Sequence, residues 1–429
     1  MKKKRITGFV SVFAIIATIF SNFVLLEKYI YEDVYKEYPE FTNNTIWIFS
    51  LFAFVGVIIA VLKIKKSKSY SFAKTGSIGF MLLAANQFLI GFFNLYNIQV
   101  FLNLTKINSI TFIVTLVYMC FVAFTGIYVC FALLSAVEAA GNDLGKRIVV
   151  SFFVLSVLAI FCPNVLAYPL FFMIISAFLF VAAFFVAGNC SENVEIKECN
   201  DKKIVPFSIL EFVFMMVGAA YIKTVPYYNG SEKVLSSYGV SFAIPALLAV
   251  TIFLIIKLIK KDNVLFAVSG IMFAVATILS GVYCDNITVF TICYVVAMSG
   301  WFINIAFAFD YIFSNTGYVK GIIVCACTIL LPAVIGYIIA VIATKGFGYM
   351  NDVFSAIYLE PLRTNAEISK GLTPNADGEF AAYKGIGEVI KLTYRRNIHY
   401  ASPIVAYVCG GVSSLVSIVD SFLNKTKSK

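Results

Sequence analysis

Histidine is almost missing from this chain, with one in 429 residues, and tryptophan occurs twice. So little imidazole leaves no material for a His-rich metal site, and a single candidate for His-based acid–base chemistry. Charged residues are also scarce, at 13% against 61% hydrophobic, and the mean hydropathy is +0.91. That is too little polar surface to clothe a water-soluble globule. No Gly-Lys-Ser/Thr element is present, which argues against built-in ATP hydrolysis. Cysteine forms no CxxC pair, so zinc has no ligand framework, and most of the ten cysteines lie in apolar runs where they act as small hydrophobes. Alternating ten-residue patterns typical of membrane β-barrels are absent as well.

What is present instead is a succession of apolar stretches, each about the ~20 residues that cross a ~30 Å hydrocarbon core at ~1.5 Å per residue. The expected spans are Gly8–Leu26, Ile46–Ile64, Ser77–Asn97, Ser109–Val137, Ile148–Cys162, Leu166–Gly188, Ile204–Val225, Tyr238–Ile259, Val264–Cys284, Ile287–Phe313, Gly321–Thr344 and Ser402–Leu423. The fold class is therefore all-α membrane protein with about 12 transmembrane helices, because backbone groups cannot face lipid unpaired. Of the 33 Lys and Arg, 21 fall on the side of the amino terminus and 12 on the other, seven of these in one long loop. The positive-inside rule then places both termini in the cytoplasm. The opening Lys2-Lys3-Lys4-Arg5 precedes an apolar run too long for a cleaved signal, so a retained first helix in a plasma or inner membrane is expected. The net charge of +10 is scattered as membrane-flanking anchors, not gathered into a nucleic-acid patch. The bilayer is the expected partner, with no nucleic acid and no cofactor.

A polar stretch, 189–203, divides the chain into expected six-helix bundles at 1–188 and 204–429. The halves echo one another. The fourth span ends in Glu138, and a turn-rich connection leads to Arg147; the tenth ends in Asp310, and a similar connection leads to Lys320. A proline follows in each case, Pro163 and Pro332. These acid-to-base connections resemble those of the major facilitator superfamily. That resemblance implies two parallel six-helix repeats with substrate held near the midplane between them, and makes Glu138, Arg147, Asp310 and Lys320 candidates for gating ion pairs on the cytoplasmic side. The superfamily's Gly-x-x-x-Asp-x-x-Gly-Arg element after the second helix is absent, since Lys63 to Gly76 offers no Asp. A narrower resemblance is to equilibrative nucleoside transporters, carried by Ser299-Gly300-Trp301-Phe302 and by Ser21-Asn22-Phe23 followed by Tyr29. The intramembrane Asp-Arg pair of that family has no counterpart in the eighth span, and a twelfth span is expected where that family ends at eleven.

Polar groups inside spans are expensive, about 2.5–3.5 kcal/mol for a central carboxylate on insertion scales, and so mark candidate sites. Glu211 lies seven residues into the seventh span, suited to a cationic group or a proton, or to a structural clasp. Asn86 and Gln87 sit within the third span, while Trp301 and Asn304 share a face of the tenth. With Asn22, these six residues are the expected substrate-binding set: amides for a hydrogen-bonding solute, an indole for a flat ring. Interhelical amide bonds are also common structural glue.

Residues 345–401 form the one long outer segment, with two helically spaced apolar patterns flanking Pro374-Asn375-Ala376-Asp377-Gly378. Sequons at Asn43, Asn103, Asn229 and Asn286 fall in expected outer loops. The function expected is a secondary transporter or facilitator, not an enzyme, moving a small polar organic solute by alternating access, with a nucleoside or nucleobase as the narrower expectation and the coupling ion left open. Two other classes compete: a polytopic glycosyl or lipid transferase using Glu388, Arg395, Arg396 and His399 of the outer segment, and a non-transporting multi-pass surface protein.

Overall fold

The computed structural model describes residues 2–20, 55–64, 66, 69–95, 126–161, 169–192, 194–195, 204–225, 243–258, 263–283, 286–336, 338–339, 408–416 and 419. Asn22, three of the four sequons and the outer segment 345–401 lie outside these residues.

Helices dominate the described chain, as the long apolar runs require. In order they are α1 (Lys2–Phe20), α2 (Val55–Ile64), α3 (Phe72–Leu95), α4 (Gly126–Ala140), α5 (Leu144–Phe161), α6 (Pro169–Asn189), α7 (Ile204–Thr224), α8 (Ile244–Leu258), α9 (Asn263–Val282), α10 (Ile287–Thr316), α11 (Tyr318–Cys325) and α12 (408–416). A π-helical stretch, Ala326–Leu330, continues α11. Five helices among the described residues are long and apolar enough to cross a membrane, and a sixth span results if α4 and α5, bent by 111° at Gly141–Asp143, count as one. Large apolar side chains such as Phe184 (75% exposed) face outward, as a lipid-facing surface does. The one departure from helix is a two-residue antiparallel bridge of β1 (Ser69–Tyr70) and β2 (Val194–Glu195), in register Ser69 to Glu195 and Tyr70 to Val194.

Many hydroxyl groups inside these helices are satisfied by the helix itself. Ser11 donates to the Thr7 carbonyl (2.6 Å), Thr18 to Ala14 (2.8 Å) and Ser299 to Val295 (2.6 Å). This back-bonding lets a polar side chain sit in an apolar medium without a second helix.

The described residues fall into two compact units. One is drawn from within Met1–Pro206, Phe242–Asp262 and Phe302–Ala326, and the other from within Phe207–Ser241, Asn263–Trp301 and Cys327–Lys429. In the first, α3 lies along α6, where Ser176 Oγ donates to the Ala84 carbonyl (2.7 Å), and α1 packs on α5 and α6. Small residues allow the closest approaches: a Cβ at Gly79 would lie 2.9 Å from the Ala132 nitrogen of α4. The start of α5 packs equally closely on α8 and the later part of α10. In the second unit α7, α9 and the early part of α10 pack together. Phe214 meets Phe273 edge-on (5.3 Å), the Tyr221 hydroxyl donates to Ser280 Oγ (3.0 Å), and a Cβ at Gly300 would lie 2.7 Å from the Ser269 carbonyl oxygen.

Gly145 marks how little slack the first unit has. An added Cβ would meet the Ala306 carbonyl oxygen at 2.7 Å, Phe253 at 3.0 Å and the Asp310 Cβ at 3.2 Å, whereas one at Gly188 meets nothing within 4 Å. Gly145→Ala is therefore expected to destabilise by about 1–3 kcal/mol through overpacking, and Gly188→Ala to leave stability unchanged or raise it slightly. Thermal unfolding of the two variants in detergent compares them directly; equal midpoints would refute the packing account.

Candidate functional site

Chemistry-bearing side chains of the first unit collect where α1, α5 and α11 begin and α4, α8 and α10 end, here termed the α1 end. The last turn of α4 carries Glu138, 7% exposed. Lys4 of α1 donates to its Oε1 at 2.6 Å, and Ser191, two residues beyond α6, donates to the same oxygen at 2.9 Å. The hydrogen bond to Glu138 raises the pKa of Lys4, opposed in part by burial. Cys190 stands beside this pair, and burial, aided by the Glu138 charge, pushes its thiol up to about 12. Burial thus keeps this thiol protonated, and weakly nucleophilic, at neutral pH.

The second acid, Asp310, is 8% exposed on α10 and accepts from Lys257 of α8, Nζ to Oδ2 at 3.0 Å. One helical turn before that lysine, Phe253 places its ring 5.8 Å below the ammonium.

Neither acid has its described ion pair with the base of its own connection. Arg147 reaches back over the end of α4, with Nη1 3.4 Å from the Ala139 carbonyl and Nη2 4.0 Å from Asp143. A carbonyl at a helix C-terminus lacks an intrahelical donor, so a guanidinium is well placed there. The same group fills the notch left by Gly8 of α1, where any Cβ would overlap Nη1. Lys320 is half-buried at the start of α11. The echo between the two connections does extend to the backbone: each turns at a glycine of positive φ, Gly141 (57°) and Gly317 (74°). Those left-handed conformations are open to glycine at low cost.

Lys4 and Lys257 were not among the residues selected from sequence, where they read as membrane-flanking charges. Their separations from the acids, 134 and 53 residues, carry no local pattern. The heptad-like position of Lys257 one turn after Phe253 is the only signal, and it is weak.

The remaining candidates lie deeper. In the second unit, Phe207, Glu211, Phe214, Gly218 and Tyr221 recur at spacings of four and three residues, forming one stripe of α7. Phe207, Phe214 and Tyr221 of this stripe pack on α9. Glu211 is fully buried within it, at 0% exposure, so the carboxylate does not point into acyl chains. Two turns further, ~10 Å along the axis, the Trp301 indole lies against Gly218, its Nε1 2.7 Å from where a Cβ would stand. Glu211 and Trp301 are thus brought to one face of α7. In the first unit Asn86 (4%), Gln87 (0%) and Asn304 (0%) are buried on α3 and α10, and Phe302 beside Asn304's turn stacks on Phe152 of α5 (5.1 Å). Among the described residues no group of three or more His, Cys, Asp or Glu is arranged to hold a metal ion.

By sequence, the chain matches no known protein family and no characterised protein. By structure it resembles the crystal structure of a bacterial homologue of the iron transporter ferroportin in an outward-facing state, with a TM-score of 0.53 and 11% identity over 98% of both chains. The likeness shows the fold alone, a helical fold shared over almost the whole chain, and the apolar helices are those of an integral multi-pass membrane protein. It lends no support of its own to the narrower resemblance to nucleoside transporters.

The Lys4–Glu138 contact generates a test of its own. Lys4 is half exposed, so the charge-assisted bond is discounted for solvent to about 1 kcal/mol. In a double-mutant cycle, Lys4→Met and Glu138→Gln are expected to lose stability singly and to show coupling of about that size together. A raised lysine pKa contributes stability that is complete below the ordinary lysine value of 10.5 and lost only as pH rises through the raised value. The lysine's share of that coupling is therefore expected to stay flat through neutral pH and to fall only above 10.5. Additive single effects would remove the pair.

Proposed function

We propose that this protein is a secondary transporter that moves a small polar organic solute by alternating access of two six-helix halves, 1–188 and 204–429, joined by 189–203, with about twelve spans and both termini cytoplasmic. The observation that carries this reading is the fold likeness to a transporter over 98% of both chains. The α1 end adds to it. There α5 packs on α8 and α10, and α2 on α11, within one compact unit, so elements of both sequence halves meet tightly at that end. If the α1 end is cytoplasmic, such packing suits a state closed on the inside, and the neighbour was captured facing outward.

The solute class follows from the buried groups. A carboxylate at 0% exposure, with an indole on the same helix face, suits a solute carrying a donor or cationic group beside a flat ring. Asn86, Gln87 and Asn304 add amides able to donate and accept. Asn22 joins this set from the sequence alone. Glu138, Arg147, Asp310 and Lys320 are read as the groups that open and shut the α1 end, with Lys4 and Lys257 as the partners of the two acids.

A divalent metal is the second cargo to test, since the structural neighbour is a homologue of an iron transporter. Among the described residues no group of three or more His, Cys, Asp or Glu that could hold a metal ion includes Glu211, so the organic solute is the first class to test.

Purified protein in liposomes, offered labelled nucleosides, nucleobases, amino acids, sugars and divalent metals, tests the reading. Saturable uptake of one organic class is expected. Glu211→Gln and Trp301→Ala should each lower it on the order of tenfold or more, the size of one lost charge-assisted or stacking contact, without lowering the unfolding midpoint. Full uptake by both variants would remove the site, and metal uptake alone would replace the solute class.

A further inference from the structure

Residues 190–195 emerge from α6 into the polar stretch that joins the two sequence halves, and several unrelated parts of the α1 end are tied to them. The Ser191 carbonyl accepts from the Phe72 nitrogen (3.0 Å) and the Ala73 nitrogen (3.3 Å), occupying two of the donors that the first turn of α3 leaves open. Its hydroxyl donates to Glu138 Oε1 on α4, the oxygen that also receives Lys4 of α1. Cys190 Sγ lies 3.8 Å from the Ser135 carbonyl, and Val194–Glu195 pair with Ser69–Tyr70 between α2 and α3. One short segment therefore holds the ends of α1, α3 and α4 and the approach to α3.

What rests on these tied elements is the start of α11. Tyr318 packs against Phe72 (4.7 Å between rings), Phe72 stands edge-on to Tyr70 (4.9 Å), and Val319 and Ile322 are buried with Ala60, Phe131 and Leu134. Cys190 lines the same cluster. The seat for α11 is thus made in part from residues that 190–192 and 194–195 supply or hold, namely Cys190, Tyr70 and Phe72. The sequence leading into β1 carries Lys63, Lys65, Lys66 and Lys68, while 189–203 mixes Glu192, Glu195, Glu198 and Asp201 with Lys197, Lys202 and Lys203, so the fastening rests on the hydrogen bonds and the strand pair and not on net charge.

We propose that residues 190–195 are a strap that sets how firmly the α1 end stays shut: fastened to β1, α3 and Glu138 it completes the seat of α11, and released it frees α11 to leave. A separate connection between the sequence halves thereby acts as a regulator of the state the transporter occupies. This rests on the alternating-access reading, and the strap's own test is independent of solute.

Amide hydrogen exchange of the full-length protein in nanodiscs, followed by mass spectrometry, reads the seat directly. Ser191→Ala removes the hydroxyl that reaches Glu138 and leaves the backbone intact. It is expected to raise exchange over 318–325 roughly threefold or more, with 263–282 in α9 unchanged. The cross-strand positions 69 and 195 suit a disulfide, since paired antiparallel Cα atoms stand ~4.5–5.5 Å apart. Adding Ser69→Cys and Glu195→Cys to Ser191→Ala and oxidising, with the bond verified by peptide mapping, should return 318–325 toward the parent rate, and reduction should undo this. Exchange at 318–325 that is unchanged in Ser191→Ala, raised equally in 263–282, or insensitive to the disulfide would overturn the strap. Strap-dependent exchange without uptake of any solute would keep the strap and remove the transporter reading; uptake with strap-independent exchange would do the reverse.

Discussion

In a hydrocarbon medium every backbone N–H, carbonyl and side-chain polar group must find its partner inside the protein, and the rest of this architecture follows from that constraint. It makes the long apolar runs helical. It turns serine and threonine back onto their own helices, as at Ser11, Thr18 and Ser299. Between helices it allows a few hydroxyls to reach across, Ser135 to the start of α3, Ser176 to α3 and Tyr221 to Ser280, so that polar contacts specify which helices are neighbours. Hydrophobic burial cannot do that alone, because lipid tails are as apolar as leucine.

Ionic groups obey the same constraint at the helix ends. Glu138 and Asp310 are both nearly buried, and each has a lysine from another helix, at 2.6 Å and 3.0 Å. Removing one partner of such a pair strands a charge, while the intact pair gives only modest net stability once desolvation is subtracted. Contacts of this kind are costly to break halfway and cheap to exchange as a unit. That property suits a boundary that must have two arrangements. The two connections share a glycine of positive φ, Gly141 and Gly317, though the first is a three-residue 3-10 turn and the second a single residue between two helices.

Glu211 shows the constraint at its sharpest. A carboxylate on the stripe of α7 that also carries Phe207, Phe214 and Tyr221 interrupts an otherwise aromatic seam. An apolar residue there would extend the seam toward Gly218 and Trp301. A buried acid in the place of a core side chain is what makes Glu211 a candidate in the second unit, for a solute contact or a structural clasp.

Much of this was legible from residues alone, and the reason is locality. Hydropathy over about 20 residues determines a helix, so α6, α7, α9, α10 and α11 were readable as apolar runs; the cost of charge in lipid singled out Glu211, and the echoed acid-to-base connections singled out Glu138 and Asp310, without any partner being known. Partnership was a different matter. Lys4 meets Glu138 across 134 residues and Lys257 meets Asp310 across 53, the two-residue bridge joins segments near positions 70 and 195, and Trp301 finds Gly218 only once α7 and α10 are packed. Pattern along the chain determined which groups are helical and which polar residues are expensive; packing in three dimensions decided which of them touch, because a contact energy depends on distance in space and not on distance along the sequence.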